Sequence, residues 1–560
     1  VDSGGGIYIR ANVQAGGISL IAKEEVIIDN AAVALTANRA SNSLGQVVIS
    51  SDYDGNGTGT NKFTDALTIA TNGGDVFIGG GNKAGTDYGN SSDWEGIEFT
   101  GLTINTNGGD VNIRGESDDA SGLRFQGGTT INTSGGNIYM RGETEDVAGI
   151  YFVSNTSINS GSGTIYLEGY NTTSSSNYGI YTNSSYDHTF QSSNTTSNAI
   201  KFVGHSDNGR GLQLYGDVKI YATGTNGSIT LEADGTSGTD YGILLKGGTS
   251  EILASSGSIL LDVKQETTTA DFYIDDHSGV YLGSKSGTSV PTSSSDITIR
   301  ANSFSFNDYR PYIATTGIFT LEPVSTSTSF GQNVSTDWWN WNQNSQTLSG
   351  LTFGKSGNTR NINHQTNALT VNGPVNFYGG DVNFSAAITT SGAIDVVSSG
   401  GIDIDQNIII TGANQNLTFK AVDEIDQASS SVTIQTNGGS VVYWANSDGN
   451  TGNYNYIRSG TINTNGGHVW LGGSLNNTGS FTWNGLSVGA GYANANDWDA
   501  VALRGNIDTR TTVDTSIGGD VWIAGESGTT TSADVGSEGA VRAIQTGNGD
   551  IALITHSYRH

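Results

Sequence analysis

The sequence predicts an all-β fold, a parallel β-helix (β-solenoid) with about three short strands per coil. Three observations predict it. A phrase of two glycines or an equivalent, one small polar residue and a hydrophobic-x-hydrophobic triplet keeps returning, as in Gly108-Gly109-Asp110-Val111-Asn112-Ile113 and Gly135-Gly136-Asn137-Ile138-Tyr139-Met140. Its copies keep a period: Val111, Ile138 and Ile165 are equally spaced, and the steps from Ile229 to Ile259 and from Val441 to Val469 are nearly the same. Self-similarity at a fixed period of roughly 20–50 residues marks a solenoid. The third observation is composition. With 81 glycines and 4 prolines in 560 residues, the chain is rich in corner formers and nearly free of the residue that would remove a ladder donor.

Each repeat divides into three strands. Thr103-Ile104-Asn105-Thr106, Val111-Asn112-Ile113 and Gly122-Leu123-Arg124-Phe125 are followed by Thr130-Ile131-Asn132-Thr133, Ile138-Tyr139-Met140 and Gly149-Ile150-Tyr151-Phe152. Alternation of period two puts one face inside and the other in water. Three or four residues at ~3.3 Å each make a strand of only ~10–13 Å, which suits a narrow triangular coil. Stacking should place Val76, Val111, Ile138 and Ile165 in one buried column, and Ile78, Ile113, Met140 and Leu167 in another. A coil buries these residues only against its neighbours, so no coil is stable alone.

Along the chain, we expect an array over 1–290, an irregular junction over 291–375 and a second array over 376–560. The alanine-rich stretch 22–40 reads as strands, because Val26-Ile27-Ile28 and Val33-Ala34-Leu35 are each bounded by turn residues. Insertions fall at corners (82–95, 171–177, 184–198). The junction holds all four prolines and the cluster Trp338-Trp339-Asn340-Trp341. Val382 and Ile402 stand closer together in the chain than Val111 and Ile138 do, which predicts tighter coils in the second array.

Charge restricts the partners. The net charge is −29, and hydrophobic residues make up 35% of the chain, enough for a core one column wide. Such a surface repels nucleic-acid phosphates and anionic lipid head groups. No run is long enough to span a bilayer. There are no cysteines, hence no disulfides and no thiolate metal sites. The absence of a signal pattern, with repeat-like text at both ends, reads as an excerpt of a larger polypeptide.

The phrases Gly-Asn/Asp/Ser-Ile-x-Leu and Ser-Gly-Gly-Ile-Asp-Ile, with 348–355 and 373–382, resemble the filamentous-haemagglutinin-like exoproteins and giant repetitive adhesins of bacteria. The resemblance implies a secreted, extracellular β-helix at the cell surface, working as an adhesin stalk or a filament subunit. Partners would be surface glycans of other cells, or, because a parallel β-helix has two open ends, further coils of the parent protein or copies of the chain joined head to tail. It brings no catalytic residues, and we expect no enzyme. The alternative is a polysaccharide lyase or hydrolase, a use to which parallel β-helices are also put, although Lys and Arg total only 24.

The candidate sites are few. Trp338, Trp339 and Trp341 form either an aromatic cover over an irregular coil or a carbohydrate platform. Asp52, Asp54 and Asn56, in Asp52-Tyr53-Asp54-Gly55-Asn56-Gly57, open like a calcium loop, although Phe63 stands where a closing bidentate Glu would be. Calcium is the cofactor such a turn would take, and it could also bridge acidic neighbours. The histidines show no zinc spacing. Glu116/Asp118/Asp119 and Glu143/Glu145/Asp146 recur at the interval of the strands themselves and read as a solvated acidic ridge on a corner. Phe77, Tyr139, Tyr166, Trp470 and Trp522 occupy the outward middle position of their triplets, open to sugar rings or to lateral contacts.

Overall fold

The computed structural model describes residues 2–3, 5–29, 31–38, 45–55, 59–80, 88–91, 94–172, 177–234, 241–264, 270–276, 278–307, 309–450, 456–495, 499–527, 532–537 and 542–555. They form a parallel β-helix, and no α-helix occurs among them. The chain divides into two compact units. The first comprises Val1–Thr316, Val324–Thr326 and Gln343–Gln346; the second comprises Gly317–Pro323, Ser327–Asn342 and Thr347–His560.

In unit 1, three strands make a coil, as expected. Thr129–Asn132, Ile138–Thr144 and Ala148–Phe152 are followed by Thr156–Gly161, Ile165–Asn171 and Tyr178–Thr182. Each strand pairs in parallel with its counterpart one coil away, and the register keeps like above like: Val76↔Val111↔Ile138↔Ile165 and Ile78↔Ile113↔Met140↔Leu167. All eight residues are buried. The third strand adds an aromatic column, with Phe63, Phe99, Phe125 and Phe152 stacked at centroid separations of 5.1, 5.2 and 4.9 Å. Offset stacking of this kind adds to the plain burial of area. The 22–40 stretch forms the strands Val26–Ile28 and Val33–Ala37.

The repeated Thr-Asn/Ser-Gly-Gly phrase has a division of labour. Asn107 and Ser134 stand at φ of +53° and +54°, followed by Gly108 and Gly135 at +114° and +138°. The first glycine of the pair is therefore needed for its backbone angle. The second is needed for space: a Cβ on Gly109, Gly136 or Gly163 would lie 2.1, 2.0 or 2.1 Å from the carbonyl oxygen of the equivalent glycine one coil back. The buried hydroxyls of Thr106, Thr133 and Ser160 donate to the carbonyls of Gly109, Gly136 and Gly163 at 2.5, 2.5 and 2.8 Å. Each corner thus satisfies an inward carbonyl that the turn would otherwise strand.

Unit 2 repeats the scheme with variable coils. Val382↔Ile402 and Ile388↔Ile408 pair across a shorter turn of chain than Val111↔Ile138, which matches the tighter coils the sequence predicts. The segment 291–375 carries strands of both units. Asp296–Arg300, Phe304–Phe306 and Tyr312–Ala314 are strands of unit 1, and Ile318–Glu322, Gly350–Phe353 and Ile362–His364 are strands of unit 2. The four prolines are accommodated because each lies outside a strand.

Among the described residues, one pair of strands is antiparallel. Ser480–Trp483 and Leu486–Gly489 form an antiparallel hairpin through Asn484 and Gly485, both with positive φ. That dipeptide suits the tight turn whose twist matches a two-stranded ribbon. The hairpin packs on the outside of unit 2, where Val488, Trp483 and Leu486 join Trp444, Trp470 and Trp522. Trp470, expected to be open outward, is completely buried beneath it.

Candidate ligand-binding face

The outward side of one sheet in unit 1 carries a cluster built by the repeat itself. Val111–Ser117, Ile138–Thr144, Ile165–Asn171 and Ile200–Ser206 are of equal length and in register. Their length depends on inward glycines. A Cβ on Gly115, Gly142, Gly169 or Gly204 would lie 1.8–2.2 Å from the carbonyl oxygen of a glycine at the head of the next strand. Glycine lets the strand run on through the corner, so the residues on either side of it both point outward. Three outward columns result: Asn112↔Tyr139↔Tyr166↔Lys201, Arg114↔Arg141↔Glu168↔Val203 and Glu116↔Glu143↔Tyr170↔His205.

These side chains interlock. The Tyr139 and Tyr166 rings lie 5.5 Å apart. The Tyr139 hydroxyl donates to Glu168 Oε2 at 2.6 Å, and the Tyr166 hydroxyl donates to the other oxygen of the same carboxylate. Arg141 Nε donates to Glu143 Oε1 at 2.7 Å, and Tyr88 donates to that oxygen at 3.0 Å. The Arg141 guanidinium lies 4.7 Å from the Tyr170 centroid and 5.6 Å from that of Tyr88. Arg114 lies 4.9 Å from Tyr139, and Lys201 5.6 Å from Tyr166. Beside this cluster a groove of about 250 Å³ is lined by Val48, Asp75, Phe77, Asp110 and Asn112. Val48 and Phe77 continue the column of Asn112 and Tyr139.

Electrostatics set the protonation states. Burial, then the hydrogen bond to Glu168, raises the Tyr139 phenol to about 12, and burial raises Tyr88, Tyr166 and Tyr170 as well. The phenols therefore remain donors at neutral pH. Burial, then the neighbouring Glu143, pushes the Glu116 carboxyl above its ordinary range. A raised carboxyl is ionised at a cost in the folded state. Glu116→Gln is therefore expected to raise stability at pH 7. The gain should shrink as pH falls through the folded-state pKa and vanish below the ordinary value near ~4.3. Denaturant midpoints of both proteins across pH 4 to 7 check this; a constant difference would refute it.

The acidic ridge thus divides. Glu116 and Glu143 stand on strands with partly buried carboxyls, whereas Asp118, Asp119, Glu145 and Asp146 belong to the corner, where Asp118, Asp119, Glu145 and Asp146 lie beyond the strand ends. Reading the whole ridge as solvated missed this. The available signal was Arg114-Gly115-Glu116 recurring as Arg141-Gly142-Glu143.

The other candidates lie elsewhere. In unit 2, Trp339 is 2% exposed. Its ring and that of Trp341 each lie 5.1 Å from Phe319, and Trp341 lies 6.2 Å from Phe353. The same aromatic column continues through Phe377, Phe384, Phe419 and Tyr443. Trp339 thus has no exposed face on which a sugar could stack, whereas Trp338 and Trp341 are half-buried. Asp52 is buried at φ +48°, with its carbonyl accepting from Gly55 N–H at 3.0 Å, and Asp54 is exposed on the same turn. Asn56 lies outside the described residues. No group of three His, Cys, Asp or Glu that could hold a metal ion occurs among the described residues. His188 and His364 are core residues whose pKa burial lowers; His277, His556 and His560 lie outside the described residues. Phe77 is buried, whereas Tyr139, Tyr166 and Trp522 remain partly open.

Unit 2 has a larger open groove of about 580 Å³, lined by Gln435, Asn437, Asn463, Asn465, Asp508 and Arg510 among others. Its polar groups hold one another as those of the unit 1 face do: Asn465 Nδ2 donates to Asn437 Oδ1 at 2.9 Å, and Arg510 closes on Asp508 through two hydrogen bonds. No aromatic ring lines it. The unit 1 face is the richer in recognition chemistry.

The chain matches no protein-family model, no curated protein and no solved structure.

Proposed function

We propose that the chain is a structural, non-enzymatic segment of an extracellular surface protein, either an adhesin stalk or the subunit of a self-assembling filament. The observation that carries this reading is the uniform stacking of the core columns: Val76, Val111, Ile138 and Ile165 lie in one buried column, each paired in parallel with the next coil. Such coils bury their apolar residues only against their neighbours, and the same scheme can continue between copies. A head-to-tail contact between copies is heterologous and extends without closing. The resemblance of 348–355 and 373–382 to adhesin linkers supports the extracellular setting.

Electron microscopy over a range of concentrations tests the assembly. Fibres with a one-subunit axial repeat fit the filament. Discrete particles at every concentration leave only the stalk. The second reading, a polysaccharide-cleaving enzyme, is favoured by Glu116 standing beside Glu143 in register, with burial raising the Glu116 carboxyl, since a pair of carboxyl groups in unlike environments is what glycoside hydrolysis uses. Depolymerisation of any polysaccharide in a panel, lost in both Glu116→Gln and Glu143→Gln, would replace the structural reading with this one.

A further inference from the structure

We infer that the outward face around Tyr139 and Tyr166 binds a neutral polysaccharide. The inference does not rest on the stalk or filament reading, since a scaffold of either kind, or neither, can carry such a face. Three features lead to it.

The first is a lane. Val48, Phe77, Asn112, Tyr139, Tyr166 and Lys201 occupy one outward column, each on a successive coil. Neighbouring strands are ~4.8 Å apart, so the column is a straight track of groups at a constant step. An extended polymer of repeating units fits a track better than a compact ligand does. Partly open aromatic rings offer the flat apolar surface that the C–H face of a sugar covers.

The second feature is a flank of fixed donors and acceptors. Arg141, Glu143, Glu168 and the hydroxyls of Tyr88, Tyr139 and Tyr166 hold one another through the hydrogen bonds described above. Asn112 Oδ1 accepts from Arg114 Nε at 3.1 Å. A face ordered in advance loses little rotamer freedom on binding. Planar amide, carboxylate and guanidinium groups beside aromatic rings are suited to hydroxyls, which donate and accept at once.

The third feature is charge, and it selects the ligand. The cations Arg114, Arg141 and Lys201 stand among Glu116, Glu143 and Glu168, Lys201 being paired with Glu232, and Asp75 and Asp110 line the adjoining groove. Carboxylates exceed cations at this face, on a chain of net charge −29. Uronate and sulfate groups would be repelled, as would phosphate. A hydroxyl-rich, uncharged chain meets no such penalty.

Affinity electrophoresis and calorimetry with xyloglucan, glucomannan and dextran, set against polygalacturonate and heparin, test the inference on the full chain. Retention by at least one neutral polymer and by neither anionic one is expected. Tyr139→Ala with Tyr166→Ala should weaken that binding by about tenfold or more, the loss typical of aromatic anchors. Tyr139→Phe, which keeps the ring, should cost far less. Should the double variant lose its cooperative melt, Asn112→Lys serves instead, since it obstructs the lane from a partly exposed position and should abolish retention. Binding of the anionic polymers, no binding of any neutral one, or wild-type affinity in a folded lane variant would each overturn the inference.

Discussion

Ile138→Asp is expected to unravel part of unit 1. Ile138 is fully buried and sits between Val111 and Ile165 in one column. Aspartate there would have apolar neighbours above and below and no cation within the column. An uncompensated buried charge costs on the order of 4 kcal/mol or more. In a solenoid that cost falls on the coil and its two neighbours, because stability is a sum of coil and interface terms. Hydrogen exchange should lose protection in Val111–Ser117, Ile138–Thr144 and Ile165–Asn171, with new protease cuts at the same place, while unit 2 keeps its protection. Ile138→Val should cost only about 0.5–1.5 kcal/mol. Full protection in the aspartate variant would mean that the column is not the dry core described.

Gly136→Ala is the second large effect. Nothing in the backbone angle of Gly136 demands glycine; the requirement is room. The added methyl carbon would meet the Gly109 carbonyl oxygen at 2.0 Å, and behind it the Gly109 carbonyl carbon at 2.4 Å. Neither atom is the movable tip of a side chain, so the two coils must separate or the corner must shift. The expected loss lies at the upper end of the roughly 1–3 kcal/mol that overpacking costs. The Thr133 hydroxyl would be drawn away from its carbonyl at the same time. Gly128→Ala is the matched control, since a Cβ there meets no atom within 4 Å. It should change stability by no more than about 0.5 kcal/mol. Equal denaturation midpoints for the two alanine variants would show that the glycine ladder is not a close contact.

The repeat made the interior readable. Val111, Ile138 and Ile165 could be aligned by counting, because their coils have equal length and a strand pair conserves inside and outside. The role of the second glycine was not readable, because its constraint is a carbonyl one coil away and appears only after stacking. For Trp339 and Trp341 the sequence left a cover and a platform both open for a related reason. Alternation identifies inward residues within a strand, but these two follow the short turn Thr336–Trp338, where no period applies. The hairpin over Trp470 was legible in principle, since Asn484-Gly485 lies between Ser480-Phe481-Thr482-Trp483 and Leu486-Ser487-Val488-Gly489. A search for the long repeat passes over it. The tyrosine–arginine face lay in plain view as a recurring Arg-Gly-Glu. What the sequence hid was that glycine carries the strand through the corner, which turns a supposed loop charge into a half-buried neighbour of Tyr88.

The separation of strand register from corner length has a consequence for how such a chain can change. Within unit 2, one turn returns to Asn383 from Asn363 by a short path, and another reaches Asp520 from His468 by a path more than twice as long. Both advance by a single strand spacing. The structure is therefore a ruler whose graduations are set by backbone hydrogen bonds and are indifferent to how much polypeptide is spent between marks. Residues added at a corner lengthen the gene without displacing any later mark, and residues that complete a whole turn move every later mark by the same step. Decoration and distance are independently adjustable: a hairpin such as 480–489 can be gained or lost without altering the spacing between two features elsewhere in the same unit.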